Sequence, residues 1–125
     1  MSEKNINNKK QPCGIKRIYL ASLNSLSAFK WLYKNEASFR QELLLLLIAV
    51  PITFLFNISV LEQVILILAI IFIIFTEVIN TAIEAVVDRV GLEIHPLSGL
   101  AKDLGSAAVL LSMVIAISLW LVILL

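Results

Sequence analysis

Glu77, Asn80, Thr81, Glu84 and Asp88 recur at steps of three and four within EVINTAIEAVVD (77–88). On an α-helix that spacing puts them on one stripe, with Val78, Ile79, Ala82, Ile83 and Val86 on the opposite face. The stripe begins where a long apolar run ends. A carboxylate in hydrocarbon costs about 2.5–3.5 kcal/mol even on lenient insertion scales, so a position like Glu77 asks for a purpose. Two further polar stretches bracket it in sequence, EASFRQE (36–42) and HPLSGLAKD (95–103). The three together bring carboxylates, an amide, cations and a histidine. Carboxylates suit Mg²⁺, which takes hard oxygen ligands and commonly bridges substrate phosphates. Lys102 suits a phosphate as a point charge, and a carboxylate at headgroup depth can deprotonate a lipid hydroxyl. This is the equipment of phosphoryl transfer, which depends on positioning, a metal and a base.

Other features weigh against it. The chain has no GxxxxGK[ST] loop and none of the Gly-rich, HRD or DFG elements of protein kinases. Glu77, Asn80 and Glu84 are also residues that bond across membrane helices for purely structural reasons. His95, a loop histidine before a proline, carries little weight alone. From the residues by themselves, an enzyme and a structural polar seam stand level.

The elements that must position these groups are membrane elements. Of 125 residues, 60% are hydrophobic and 15% charged, against roughly 45–50% apolar in soluble domains. The apolar residues fall in long runs, which predicts an all-α membrane protein of one domain spanning 15–125. Net charge is +1, so there is no nucleic-acid signal. Cys13 is the only cysteine, which excludes an intrachain disulfide and a Cys-based metal site. No cleavable signal peptide and no internal repeat are visible.

Residues 1–14 read as a disordered polar tail. Residues 15–34 read as an amphipathic helix, with Ile15, Ile18, Tyr19, Leu23, Leu26, Phe29 and Leu32 on one face. Two settings fit that face: a membrane surface or the protein's own helices. The first span is expected at about 43–60, kinked at Pro51, and Asn57, Ser59, Glu62 and Gln63 mark a turn. The second span is expected at about 61–79, with a helical extension beyond the membrane to 90. Its core from Val64 to Thr76 covers about 20 Å of a ~30 Å hydrocarbon layer, which puts Glu77 near the headgroups. Residues 89–105, punctuated by Gly91, Pro96, Gly99 and Gly105, are predicted to be a loop, and the third span to be 106–125. Every Lys and Arg lies in the N-terminal region or in 89–105. The N-terminus and the polar stripe are therefore expected on the cytoplasmic side and the C-terminus outside. Three spans cannot enclose a lipid, a nucleotide and metal alone, so a homo-oligomer is expected.

EASFRQE, EVINTAIEAVVDRVG and HPLSGLAKDLGSAAV resemble the signatures of the small bacterial integral-membrane diacylglycerol kinases, in order and spacing, across nearly all of residues 15–125. The resemblance implies a homotrimeric helical bundle in the inner membrane. Each subunit would have a surface helix and three transmembrane helices. It implies Mg²⁺·ATP-dependent phosphorylation of diacylglycerol to phosphatidic acid. Carried over by motif, Glu77 would be the general base and Asn80 would position the reacting groups. Glu36 and Glu84 would hold Mg²⁺ with the ATP phosphates, and Asp88 would support the nucleotide side. Lys102 would neutralise phosphate charge beside Asp103. Glu93, Ile94, His95 and, on the surface helix, Arg17 would lie along the nucleotide. Ser38, Phe39, Arg40, Gln41, Glu42 and Ser106 would line the lipid entrance. Where family members often carry an aromatic for the nucleotide, this chain has Asn24. A related branch phosphorylates undecaprenol; FRQE, VVDRVG and AKDLGSAAV are closer to the diacylglycerol branch. Two readings from other classes are a small proton-coupled transporter, which four spans and a Glu within the first would fit better, and a non-catalytic membrane subunit.

Overall fold

A computed structural model describes residues 13–125. Among them are four α-helices and no strand: α1 (Ile15–Asn35), α2 (Ala37–Thr53), α3 (Val60–Val90) and α4 (Pro96–Leu124). The all-helical expectation holds. The tail expected at 1–14 lies outside the described residues except for Cys13, which is exposed, and Gly14. The chain divides into two compact units, the first ending at Glu36 and the second running Ala37–Leu125.

The first unit is α1, one residue longer than the amphipathic segment in the sequence. Gly14 precedes it with φ of 67°, a left-handed backbone that a side chain would strain. Ile15, Ile18 and Leu26 on its apolar face are exposed. Glu36 closes it in extended conformation, its N–H donating to the Leu32 carbonyl.

In the second unit α3 packs against both α2 and α4, most extensively against α4. The core where they meet is built from Ala49, Ala69, Ile70, Ile73 and Ala116, with Leu46, Leu119 and Trp120 around it. Three alanines among five let backbones approach closely. Where lipid tails are as apolar as Leu, such packing supplies the contact energy between helices. Polar ties supplement it. The Thr76 and Ser112 hydroxyls meet at 2.9 Å, Gln63 Nε2 donates to Thr53 Oγ1 at 2.9 Å, and Trp120 Nε1 donates to the Leu66 carbonyl at 3.1 Å.

α3 and α4 are long and apolar enough to cross a membrane. The outward faces of these helices fit that: Phe75, Leu110, Ile117 and Val122 are all exposed, an apolar area that water would penalise. α2, with 17 residues, covers about 25 Å at 1.5 Å per residue.

Two boundaries differ from the sequence expectation. The helix expected to run to 60 ends at Thr53. Pro51 sits in its last turn, and Phe54 N–H and Leu55 N–H donate three residues back to Pro51 and Ile52, winding the chain out of the helix. α3 then starts at Val60 through a capping box. Ser59 Oγ accepts from Glu62 N–H, and the Glu62 carboxylate accepts from Ser59 N–H. The second correction is larger. Residues 96–105 are not loop but the first three turns of α4. Pro96 sits at its first position, where a missing N–H costs nothing. His95 caps it, Nδ1 accepting from Leu97 N–H at 3.1 Å. Gly99 and Gly105 are tolerated inside the helix; only residues 91–95 connect α3 to α4.

Candidate functional site

The stripe seen in the sequence lies on one continuous helix, and its burial changes along its length. Glu77, Asn80 and Thr81 are buried at 8%, 7% and 8% exposure, Glu84 is half-buried, and Asp88 is exposed. The apolar run that precedes it sets the depth of the inner end, and the last two turns of α3 carry the outer end past α4's first turns.

At the inner end, Glu42 of α2 is buried at 7% exposure, within electrostatic reach of Glu77. Three polar atoms there, Glu42 Oε2, Asn80 Oδ1 and Thr81 Oγ1, are buried without a hydrogen-bond partner. Native interiors rarely leave such atoms unsatisfied. Glu42 also heads a groove of about 450 Å³ between α2 and α4. Leu45, Ile48 and Ile52 line one side, Met113, Ile117 and Leu121 the other, and Ile70 and Ile73 of α3 complete it. An apolar trough with a buried carboxylate at one end has the polarity of a lipid: tail below, polar group above.

One turn outward, Asn80 Nδ2 donates to Glu84 Oε1 at 3.4 Å. At the outer end Lys102 Nζ of α4 meets Asp88 Oδ1 at 2.9 Å. Lys102 lies outside the apolar stretch that starts at Ser106. Its hydrogen bond to Asp88, and then the charge of Asp88, hold its ammonium above the ordinary lysine range, so it stays cationic.

The remaining residues singled out in the sequence are placed as follows. Ser38, Arg40 and Gln41 are exposed on α2, whereas Phe39 and Glu42 are buried. The sequence put Glu42 at headgroup depth with its neighbours; the structure turns it inward. Glu93, Ile94 and His95 are exposed in the α3–α4 connection, and Asp103 and Ser106 are exposed on α4. Arg17 and Asn24 are exposed on α1 and Glu36 is half-buried at its end, all in the first unit. The sequence passed over Thr81, Thr76 and Ser112 as working polar groups, and Gly105 as anything but a helix breaker. The small residues facing α3 were the available signal.

Among the described residues no group of three or more His, Cys, Asp and Glu side chains converges on a point. The donors do suit Mg²⁺ carried on a nucleotide. Glu84 is a half-buried carboxylate engaged by one long bond, and Mg²⁺ needs only one or two protein carboxylates when phosphates and water supply the rest.

A buried carboxylate at the head of an apolar trough, with cations and carboxylates outside it, is an arrangement that suits a lipid-modifying membrane protein. The family model for prokaryotic diacylglycerol kinase matches residues 23–124. The diacylglycerol kinase of Escherichia coli (strain K12) is 42% identical over 111 residues, 89% of this chain and 91% of that protein. That of Pseudomonas aeruginosa is 43% identical over 112 residues, 90% and 91% of the two chains. That of Helicobacter pylori (strain 26695) is 35% identical over 107 residues, 86% and 84%. The chain belongs to the prokaryotic diacylglycerol kinase family, and it is an enzyme, a lipid kinase.

Proposed function

We propose that this kinase transfers the γ-phosphate of ATP to the hydroxyl of diacylglycerol, giving phosphatidic acid and ADP, as a step of phospholipid recycling. The observation that carries the reading is the burial gradient along the α3 stripe, with its buried end beside the apolar groove. An acyl chain fits the groove between α2 and α4, which brings the lipid's hydroxyl to the level of Glu42 and Glu77. Glu77 takes the hydroxyl proton as the oxygen bonds to the γ-phosphorus. The bond from that phosphorus to the β–γ bridging oxygen breaks, ADP leaves with the electron pair, and Glu77 later returns its proton to water. Burial of Glu77 beside the apolar groove supports the base role, because it sets the carboxylate at the level where a lipid hydroxyl would lie. Glu36 and Glu84 would hold Mg²⁺ with the ATP phosphates, and Mg²⁺ supplies charge neutralisation on the transferred group. Asn80 orients Glu84. Lys102 exchanges Asp88 for phosphate when nucleotide arrives, and Asp103, Glu93, Ile94, His95, Arg17 and Asn24 serve the nucleotide side.

The same reading takes the protein as a homotrimer in the inner membrane, its active site cytoplasmic and its C-terminus outside, with α2 as a third span. The exposed apolar faces of α3 and α4 support sister subunits or lipid around them, and the exposed apolar face of α1 supports a helix on the membrane surface. The Lys and Arg distribution supports the orientation.

The test is a side-by-side assay. Membranes containing this chain are given labelled ATP with Mg²⁺, and either diacylglycerol or undecaprenol. Label in phosphatidic acid is the expected result. Label in undecaprenyl phosphate alone would reassign the acceptor, and no transfer to either lipid would sink the proposal.

A further inference from the structure

We propose that Gly105 is a positioning residue, whose missing side chain holds the Asn80 amide in the orientation that directs Glu84. The inference rests on the reading of Glu84 as a carboxylate that holds the metal.

A carboxylate only accepts hydrogen bonds. The amide nitrogen of Asn80 must therefore face Glu84, as it does, and the amide oxygen must face the other way. That way is α4, where Gly105 is buried. A Cβ built on Gly105 collides with Asn80 Oδ1, lies 3.2 Å from Asn80 Cγ, and touches Ile83 Cδ1 at 3.6 Å. Those three atoms are its nearest neighbours from outside its own turn of helix, and the colliding one is the end of a rotatable side chain rather than backbone. A methyl at 105 is thus inexpensive for the fold, because Asn80 can swing aside. It is expensive for the bond, because swinging aside takes Nδ2 from Glu84. Asn80 is buried and its oxygen has no hydrogen-bond partner to hold the amide. The notch in α4, rather than a hydrogen bond to that oxygen, sets its direction. Gly99 lies two turns earlier on the same helix, and a Cβ there meets nothing within 4 Å. It gains the same helix propensity from alanine without touching the stripe.

The experiment compares Gly105→Ala, Gly99→Ala and Asn80→Ala with the unaltered full chain in lipid bicelles. Mn²⁺ is titrated in the presence of a non-hydrolysable ATP analogue and followed by electron paramagnetic resonance. Thermal melting is recorded alongside. Gly105→Ala is expected to weaken Mn²⁺ binding by roughly tenfold to a hundredfold, the usual range for losing a partner that orients a metal ligand. Its melting temperature should stay unchanged, and Gly99→Ala should bind as the unaltered chain does. Asn80→Ala should show the same loss, and adding Gly105→Ala to it should cost nothing further, since the two act through one bond. Unaltered Mn²⁺ affinity in Gly105→Ala would overturn the proposal. So would a loss that adds in full to that of Asn80→Ala, or a fall in melting temperature that Asn80→Ala does not relieve, which marks a packing role. If the unaltered chain shows no Mn²⁺ binding with the analogue, the assignment of Glu84 fails first and the role of Gly105 with it.

Discussion

Glu77 and Asp88 stand about 16 Å apart along one helix, and they occupy different media. Glu77 is buried beside a second carboxylate, Glu42, at the head of an apolar trough. Asp88 is exposed and ion-paired to Lys102. Burial shields Glu77 from bulk water. Exposure leaves Asp88 a ready partner for a mobile cation. On the proposed reading, one helix offers a proton acceptor to the lipid and an exchangeable charge pair to the nucleotide, with Asn80 and Glu84 between. The difference teaches that burial separates these acidic positions: the sequence already set Glu77 near the headgroups with the helix continuing beyond the membrane, and the structure adds Glu42 to the buried end.

Removing the inner charge is the most severe way to probe this division. Glu77→Gln keeps shape and burial but removes the base. Lipid phosphorylation should fall by about 10²–10⁴-fold, the worth of positioned general base catalysis, while helicity and melting stay as before. A rate near that of the unaltered enzyme would end the assignment. Glu84→Gln comes next. Its position between the two media predicts a metal effect, with a roughly tenfold to hundredfold higher Mg²⁺ requirement. Loss of turnover without any change in Mg²⁺ dependence would move Glu84 to the inner group.

Much of this was legible in the sequence because it is periodic. The stripe, the amphipathic helix α1 and the long apolar helices α3 and α4 all follow from 3.6-residue spacing and run length. What was not legible depends on partners distant in sequence or on signals of mixed meaning. Pro96 and Gly99 read as breakers, yet a proline at the first position begins a helix as readily as it ends one. His95 as a cap turns the reading around. Ser59 and Glu62 read as turn residues, yet together they form the capping box that sets the start of α3. The resemblance set Glu42 at the lipid entrance together with Ser38, Arg40 and Gln41. Helical rotation turns it inward with Phe39 while those three stay exposed, and only packing of α2 on α3 determines which polar member of the segment that is. Gly105 is a small residue like others on its helix, and what sets it apart, the Asn80 amide lying against it, is defined by another helix.

Between the two ends, α3 and α4 are tied by the buried Thr76–Ser112 pair. The two hydroxyl protons are shared among three contacts, the pair itself and the Ile73 and Val109 carbonyls, so each hydroxyl keeps a backbone acceptor when the other is removed. Ser112→Ala should therefore cost only about 0.6–1.7 kcal/mol, the range for interhelical hydrogen bonds in membrane proteins, read by denaturant-induced unfolding in mixed micelles. Its activity should be normal below the melting transition, since the tie faces away from neither medium in particular. A large kinetic effect would mean that the register of α4 against the stripe is set here.

The smallest effect on stability belongs to the outer end, and it separates structure from function most cleanly. The Asp88–Lys102 bridge joins α3 to α4, but both side chains are about half exposed, at 51% and 43%. Exposed pairs of this kind contribute about 0–1 kcal/mol and are screened by salt. Asp88→Asn should leave the melting temperature nearly unchanged at physiological ionic strength. If the pair served only to hold the helices, nothing else would change. If the pair opens for nucleotide, as proposed, two effects should accompany the neutral side chain. The KM for ATP should shift, and that shift should depend on salt more than kcat does, because Lys102 no longer has to give up a carboxylate to meet a phosphate. An unchanged KM at every salt concentration would make the bridge a surface tie. The nucleotide would then have to be held by groups further out, on the exposed 91–95 connection.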